Sequence, residues 1–166
     1  MKSILKGLVA IIALLSVTVS AAQDKTQAGQ LKPIFDNYFQ LNNALVKSDS
    51  KAAAATSTEL QSALTAVKME SLNEAEHTVW MKVMDDLNKD ALAISKTQDI
   101  KKQRASFKSL SVNTYELMKV SNPGQPVYYN HCPMVDANWL SMEKGIKNPY
   151  YGAQMLTCGK TIETIK

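Results

Sequence analysis

The chain has 166 residues, 45% of them hydrophobic and 20% charged, with a formal net charge of +4 at pH 7. That length is enough for one domain with a buried core. The charge is modest and no basic block is interleaved with aromatics, which argues against a nucleic-acid partner.

The first residues carry a compartment signal. Lys2 and Lys6 form a short positive region, Leu8 to Val19 is a twelve-residue uncharged run, and Ser20, Ala21 and Ala22 follow. This is the three-part pattern of a secretory signal peptide, and the run is too short to be a comfortable membrane span. Cleavage after Ala22 is expected, leaving residues 23–166 as an exported chain with no membrane association. A retained anchor is the alternative. No cysteine stands near the cleavage region, so a lipid anchor is not indicated.

Between Gln23 and Ser121 there is one proline and one glycine; from Asn122 to the end there are four of each. The first part reads as helix and the second as a turn-rich segment. A first helix is predicted over about 28–47, with Leu31, Ile34, Phe35, Tyr38, Leu41 and Leu45 on one face and Pro33 near its start. Ser48, Asp49 and Ser50 end it and can cap the next helix. An Ala-rich second helix over about 51–69 buries Leu60, Leu64 and Val67. Asn73 is a candidate N-cap for a third helix to about 94, with Trp80, Val83, Met84, Leu87 and Ala91 inward. A fourth over about 99–120 turns Ile100, Phe107, Leu110, Leu117 and Met118 to the core, and Asn122-Pro123-Gly124 stops it. The tail opens on Val127-Tyr128-Tyr129, a β-prone piece between Pro126 and Pro133. A short helix around 137–145, a turn at 148–152 and one helical turn over 153–157 are then predicted. The fold class predicted is all-α: an up-down four-helix bundle with a turn-rich C-terminal segment carrying a Cys/Met motif. Residues 23–166 form one helical domain in this reading, with 122–166 as its sulfur-rich segment.

The chemistry is concentrated in that segment. Only two cysteines are present, and each has a methionine close by: His131-Cys132-Pro133-Met134, and Met155-Leu156-Thr157-Cys158-Gly159. In an extended stretch, residues two apart share a side, and in a helical turn residues three apart share a face. Each half can therefore present one thiol and one thioether to a common point. Two thiolates and two thioethers, with His131 beside them, select Cu(I), with Ag(I) as its mimic, and suit zinc less well. The alternative is a Cys132–Cys158 disulfide with the methionines as packing and no metal. That bridge closes a loop of about 27 residues, worth on the order of 3–4 kcal/mol in the chain-entropy model. In an oxidising compartment both readings stay open.

His77, Trp80, Met81 and Met84 share a face of the third helix. A second metal site or haem ligation is the functional reading, and a methionine-containing core stripe is the favoured one. The tail aromatics Tyr128, Tyr129, Trp139, Tyr150 and Tyr151 are expected to form the tail's own core against the bundle. No enzyme is expected. There is no Cys-x-x-Cys, no Gly-rich phosphate loop and no second histidine placed for blue copper, and His131 points away from Cys132 in an extended chain.

Several tail motifs together resemble a known family. They are Tyr128-Tyr129-Asn130-His131-Cys132-Pro133-Met134, Trp139-Leu140-Ser141, Ile146-Lys147-Asn148-Pro149-Tyr150-Tyr151-Gly152 and Met155-Leu156-Thr157-Cys158-Gly159, with Gln103-Arg104, Phe107 and Leu110-Ser111 upstream. They resemble an exported bacterial family of helical domains of unknown function. Its members occur free in the periplasm and as a C-terminal extension of adaptor subunits of copper and silver efflux pumps. The likeness runs over about 98–165. It implies a periplasmic role in heavy-metal handling, as a carrier or buffer, with efflux adaptors or other periplasmic copper proteins as partners. The loop Val135-Asp136-Ala137-Asn138 is shorter than such relatives carry.

Overall fold

The computed structural model describes the backbone of residues 23–166 and the side chains from Gly29 onward, so the signal-peptide reading of residues 1–22 lies outside the described residues. Four helices come first: α1 (Gln23–Val46), α2 (Ser50–Thr65), α3 (Glu74–Ser95) and α4 (Ile100–Val120). Each has an apolar stripe at helical spacing. In α1 the residues Leu31, Ile34, Phe35, Tyr38, Leu41 and Leu45 are all buried. Side-chain caps set the starts. Asp49 accepts from the Ala52 N–H, Asp99 from the Lys101 and Lys102 N–H groups, and Asn73 and Glu76 form a reciprocal capping box. Ser48, at φ 57°, makes the left-handed step between α1 and α2.

Pro33 lies inside α1 rather than at its start. It withholds an N–H from the carbonyl one turn back, and Asn37 Nδ2 donates to the Pro33 carbonyl at 2.9 Å. Consecutive helices pack on each other and α4 returns to α1. None of the described helices is long and apolar enough to cross a membrane.

The all-α expectation fails after α4. The tail folds into a three-stranded antiparallel sheet of β1 (Val127–Cys132), β2 (Ala137–Ser141) and β3 (Lys160–Ile165), in the order β2-β1-β3. The segment read as a short helix around 137–145 is in part β2, paired with β1 through Asn130↔Trp139 and Cys132↔Ala137. The physical reason is that β2 is covered on both faces. Trp139 and Leu140 are adjacent and both fully buried, so the two-residue alternation that marks a half-exposed strand is missing. A 3-10 turn, η (Gly152–Met155), occupies the expected helical turn. The strand β3 had no expectation at all.

The sheet joins the helical core through specific contacts. The outward N–H of Leu140 on edge strand β2 donates to Tyr38 Oη at 3.0 Å, and Tyr38 Oη lies 2.8 Å from Ser111 Oγ. Tyr115 of α4 stacks on Tyr129 of β1, with ring centroids 3.8 Å apart and planes 6° from parallel. The Tyr115 hydroxyl donates to Glu163 of β3 at 2.5 Å. Trp139, Leu140 and Tyr150 therefore belong to one core with α1 and α4, so the tail's buried aromatics pack against the bundle, as expected.

Candidate metal-binding dithiol

The sheet register brings the two cysteines together. Cys132 ends β1, and the pair His131↔Lys160 sets the start of β3 beside it. Cys158 precedes that start by two residues, so its sulfur reaches back to Cys132, and the two Sγ atoms lie 3.2 Å apart as free thiols. Cys132 is buried and Cys158 half-buried.

A compact loop between β2 and β3 holds Cys158 in place. Asn148 is wholly buried. Its Nδ2 donates to the Cys158 carbonyl at 2.8 Å, and its Oδ1 accepts from the Tyr150 and Tyr151 N–H groups at 2.8 and 3.3 Å. Its own N–H donates to Leu156 O at 2.8 Å, and the Cys158 N–H donates to Met155 O at 3.0 Å. Gly159 follows at φ 140°. A Cβ there would stand 2.7 Å from Trp139 Cη2 and 2.9 Å from the His131 carbonyl oxygen, so only glycine lets the chain pass over the indole. Arg104 of α4 ties the loop to the bundle. Its Nε donates to Pro149 O at 2.7 Å, and its Nη2 donates to Leu45 O at 3.0 Å and Ser48 Oγ at 2.8 Å.

The two thiols are electrostatically unequal. Burial pushes the Cys132 thiol up, but hydrogen bonds from Cys158, from the Val135 and Met134 N–H groups and from Asn148 together hold it below the ordinary thiol value. The hairpin turn thus aims backbone donors at this sulfur. Cys158 moves the other way. Its hydrogen bond to Cys132 raises it, and burial and the neighbouring negative charge add to that. Of the two sulfurs, Cys132 is therefore the one whose ionisation is favoured and Cys158 the one whose ionisation is opposed.

The other expected ligands are placed differently. Met134 lies in the hairpin turn with its backbone at the sulfurs, yet its side chain is 64% exposed. Met155 is half-buried in the 3-10 turn one helical step before Cys158. His131 does not join them. It alternates to the opposite face of β1, and its Nδ1 lies 2.8 Å from Asn138 Oδ1. On α3, Trp80 is buried and Met84 packs half-buried against the core, whereas Met81 is 53% exposed and His77 is exposed. The face is a core stripe only in part. Among the described residues, no three His, Cys, Asp or Glu side chains gather to hold a metal.

Comparison with protein-family models matches residues 34–125 to DUF3347, described as a protein of unknown function. The chain belongs to the DUF3347 family. No curated protein and no solved structure matches it. The DUF3347 match covers most of α1, all of α2 to α4 and the approach to β1, and it ends two residues before the first strand. The dithiol lies beyond it. The likeness read from the tail overlaps the matched region only between about 98 and 125.

In this DUF3347 protein the dithiol offers two soft donors, of which Cys132 is the more readily ionised. Metal–thiolate bonds of about 2.3 Å, at angles between tetrahedral and linear, place two sulfurs about 3.7–4.6 Å apart. The observed 3.2 Å must widen to admit a metal. With the Cys158 backbone held by its hydrogen bonds, rotation of its half-buried side chain is the movement that separates the sulfurs. The sequence reading missed Asn148, Gly159 and Arg104 as the frame of this site. Asn148 had a local signal, because Asn before Pro favours an extended residue whose side chain closes an Asx turn. Arg104 had no local signal for this role, since its partners, the Leu45 and Pro149 carbonyls and Ser48 Oγ, are distant in sequence.

Proposed function

We propose that this protein carries or buffers Cu(I), with Ag(I) as its mimic, through the Cys132 and Cys158 thiolates. The single observation that supports this is the convergence of the two cysteines at 3.2 Å, with Cys132 already favoured as the thiolate. Soft thiolates select a soft cation. Met134 and Met155 supply thioethers at the rim, and the exposed Met134 is the natural first contact for a metal entering or leaving by ligand exchange. The setting proposed is the periplasm, with copper-efflux adaptors or other copper proteins as exchange partners, which rests on the tail's resemblance. Titration of reduced protein with Cu(I) against a chelating competitor tests the reading. One tightly held Cu(I) per chain is expected, lost in the Cys132→Ser, Cys158→Ser double variant. Equal affinity in the two proteins defeats it.

The same distance favours a second reading. A disulfide bond of about 2.05 Å requires the sulfurs to close by only about 1.1 Å, a smaller movement than a linear metal site demands. Dithiol–disulfide exchange with a partner disulfide would form the Cys132–Cys158 bond, release two thiol protons and deliver two electrons to the partner, which leaves as a dithiol. A free-thiol assay on protein taken from its native compartment separates the readings. A bridge that glutathione does not open favours the structural staple over the metal carrier.

A further inference from the structure

We infer that a cationic groove beside the dithiol docks an acidic, extended segment of a partner protein. Lys101, Arg104 and Lys108 fall at successive positions of one face of α4, three and four residues apart. They line a groove of about 310 Å³, whose other wall is the Tyr150–Gln154 stretch and whose end is Val135 of the hairpin turn that follows Cys132. No carboxylate lines it. The ion pairs among the described residues are Lys32–Asp36 and Lys147–Glu143, so none of the three groove cations has an acidic partner there. Asp99, at the start of α4, is occupied with the backbone N–H groups of Lys101 and Lys102.

The groove is also fixed in shape. Arg104 is anchored by three hydrogen bonds to the loop and to the end of α1, and Lys108 Nζ donates to the Val135 carbonyl at 2.8 Å. Three positive charges held without compensation at one edge repel each other, and an anion relieves that repulsion. The spacing says which kind. Lys101 and Lys108 stand seven residues apart on the helix, about 10.5 Å along its axis. A single phosphate or carboxylate cannot span that. An extended peptide rises about 3.3 Å per residue and turns alternate side chains to one side, so carboxylates two and four residues apart, about 7 and 13 Å, bracket that span. Arg104, with Nε and Nη2 already given to carbonyls, does not offer the free two-pronged face that favours a phosphodiester. A segment bound here would lie against the turn that follows Cys132, which is where an exchange partner of the dithiol must be brought. This inference does not depend on which metal, if any, the dithiol holds.

The test uses the full chain and fluorescein-labelled hexaglutamate, followed by anisotropy at low ionic strength. Saturable binding is expected, weakened about fivefold or more by Lys101→Glu and by raising the salt to about 0.15 M. Lys101 is exposed, so the variant keeps its fold, and Lys108→Met, which retains the aliphatic stem, weakens binding in the same direction. Lys32→Glu, on α1, changes net charge equally and is expected to leave binding unaltered. Absence of saturable binding overturns the inference. So does an equal loss in Lys32→Glu and Lys101→Glu, which would make net charge the cause. Tighter binding of a labelled hexathymidylate than of hexaglutamate overturns it in favour of a nucleic-acid groove.

Discussion

Along α1, six apolar side chains recur at three- and four-residue spacings and all six are buried. Along β2, two adjacent side chains, Trp139 and Leu140, are buried on opposite faces of one strand. In the helical region most roles follow from a place in a period, where another apolar residue of similar size would serve; Tyr38, whose hydroxyl bonds to the Leu140 N–H and Ser111, is an exception in α1. In the sheet region roles belong to individual residues. Gly159 lies over Trp139, the Asn148 side chain satisfies three backbone groups, and the Tyr38 hydroxyl closes the open N–H of β2. The family match follows the same line, covering the helices and ending before the strands.

The comparison breaks most readily at Trp139. If the sheet were an appendage of an independent bundle, removing the indole would leave the helices untouched. The side chain is fully buried in the core that the sheet shares with α1 and α4, so Trp139→Ala is expected to cost about 3–5 kcal/mol. Helical ellipticity and near-ultraviolet aromatic signals should then melt together at a lower temperature. Two separated transitions would show that the two regions fold as independent units. Gly159→Ala sharpens the same point with one methyl group. The Cβ meets both the indole and a carbonyl at a φ that side chains rarely adopt, for an expected loss of about 1–3 kcal/mol. Because Gly159 follows Cys158, the variant should also change the rate at which the dithiol closes under mild oxidation. Unchanged stability would mean that the loop slides off Trp139 at little cost. Tyr38→Phe is smaller again, about 1–2 kcal/mol, and strands the Leu140 N–H in a buried setting. Chemical denaturation of this variant, alone and combined with Ser111→Ala, measures how far the Tyr38 hydroxyl couples the two regions.

The helices were legible because their physics is local. Caps at Asp49, Asn73 and Asp99 and the stripe of each helix lie within a few residues of one another, and the structure places these helix starts within a residue or two of the expected ones. Residues 127–129 were legible as β-prone. Strand β2 was not, since Trp-Leu side by side has neither period. Strand β3 was hidden for the opposite reason: only Ile165 of its residues is buried, so burial writes no pattern into it. Thr161, Ile162, Thr164 and Ile165, all β-branched, were the available signal. The chemistry of the site was legible as a pair of sulfur-bearing halves. Their meeting was not, because it depends on β1–β3 pairing across a long connection and on a bulge between Tyr129 and Asn130 that adjusts the register. His131 was misplaced among the ligands because adjacency in sequence puts it on the other face of the same strand.

The smallest effect is also the most specific to the tail. Cys132 is held below the ordinary thiol value although burial alone would raise it, so its thiolate depends on its donors. A thiol whose folded pKa is depressed adds stability at pH above the unfolded value, about 8.5, and loses it as pH falls through the folded value. Cys158, whose value is raised, does the reverse: its contribution is complete below the unfolded value and disappears as pH rises through the folded one. The two partly cancel in any stability profile, and thiolate absorbance near 240 nm is the better measurement. Wild type should titrate in two separated steps, one below and one above an ordinary thiol. Cys158→Ala removes a donor and leaves burial less opposed, so the Cys132 step should move up in pH. Asn148→Ala removes a weaker donor and should move it less in the same direction. If Cys132 titrates at the same pH in all three proteins, the thiol–thiolate hydrogen bond is not what ionises it. The preference would then lie in the backbone donors of the hairpin turn alone.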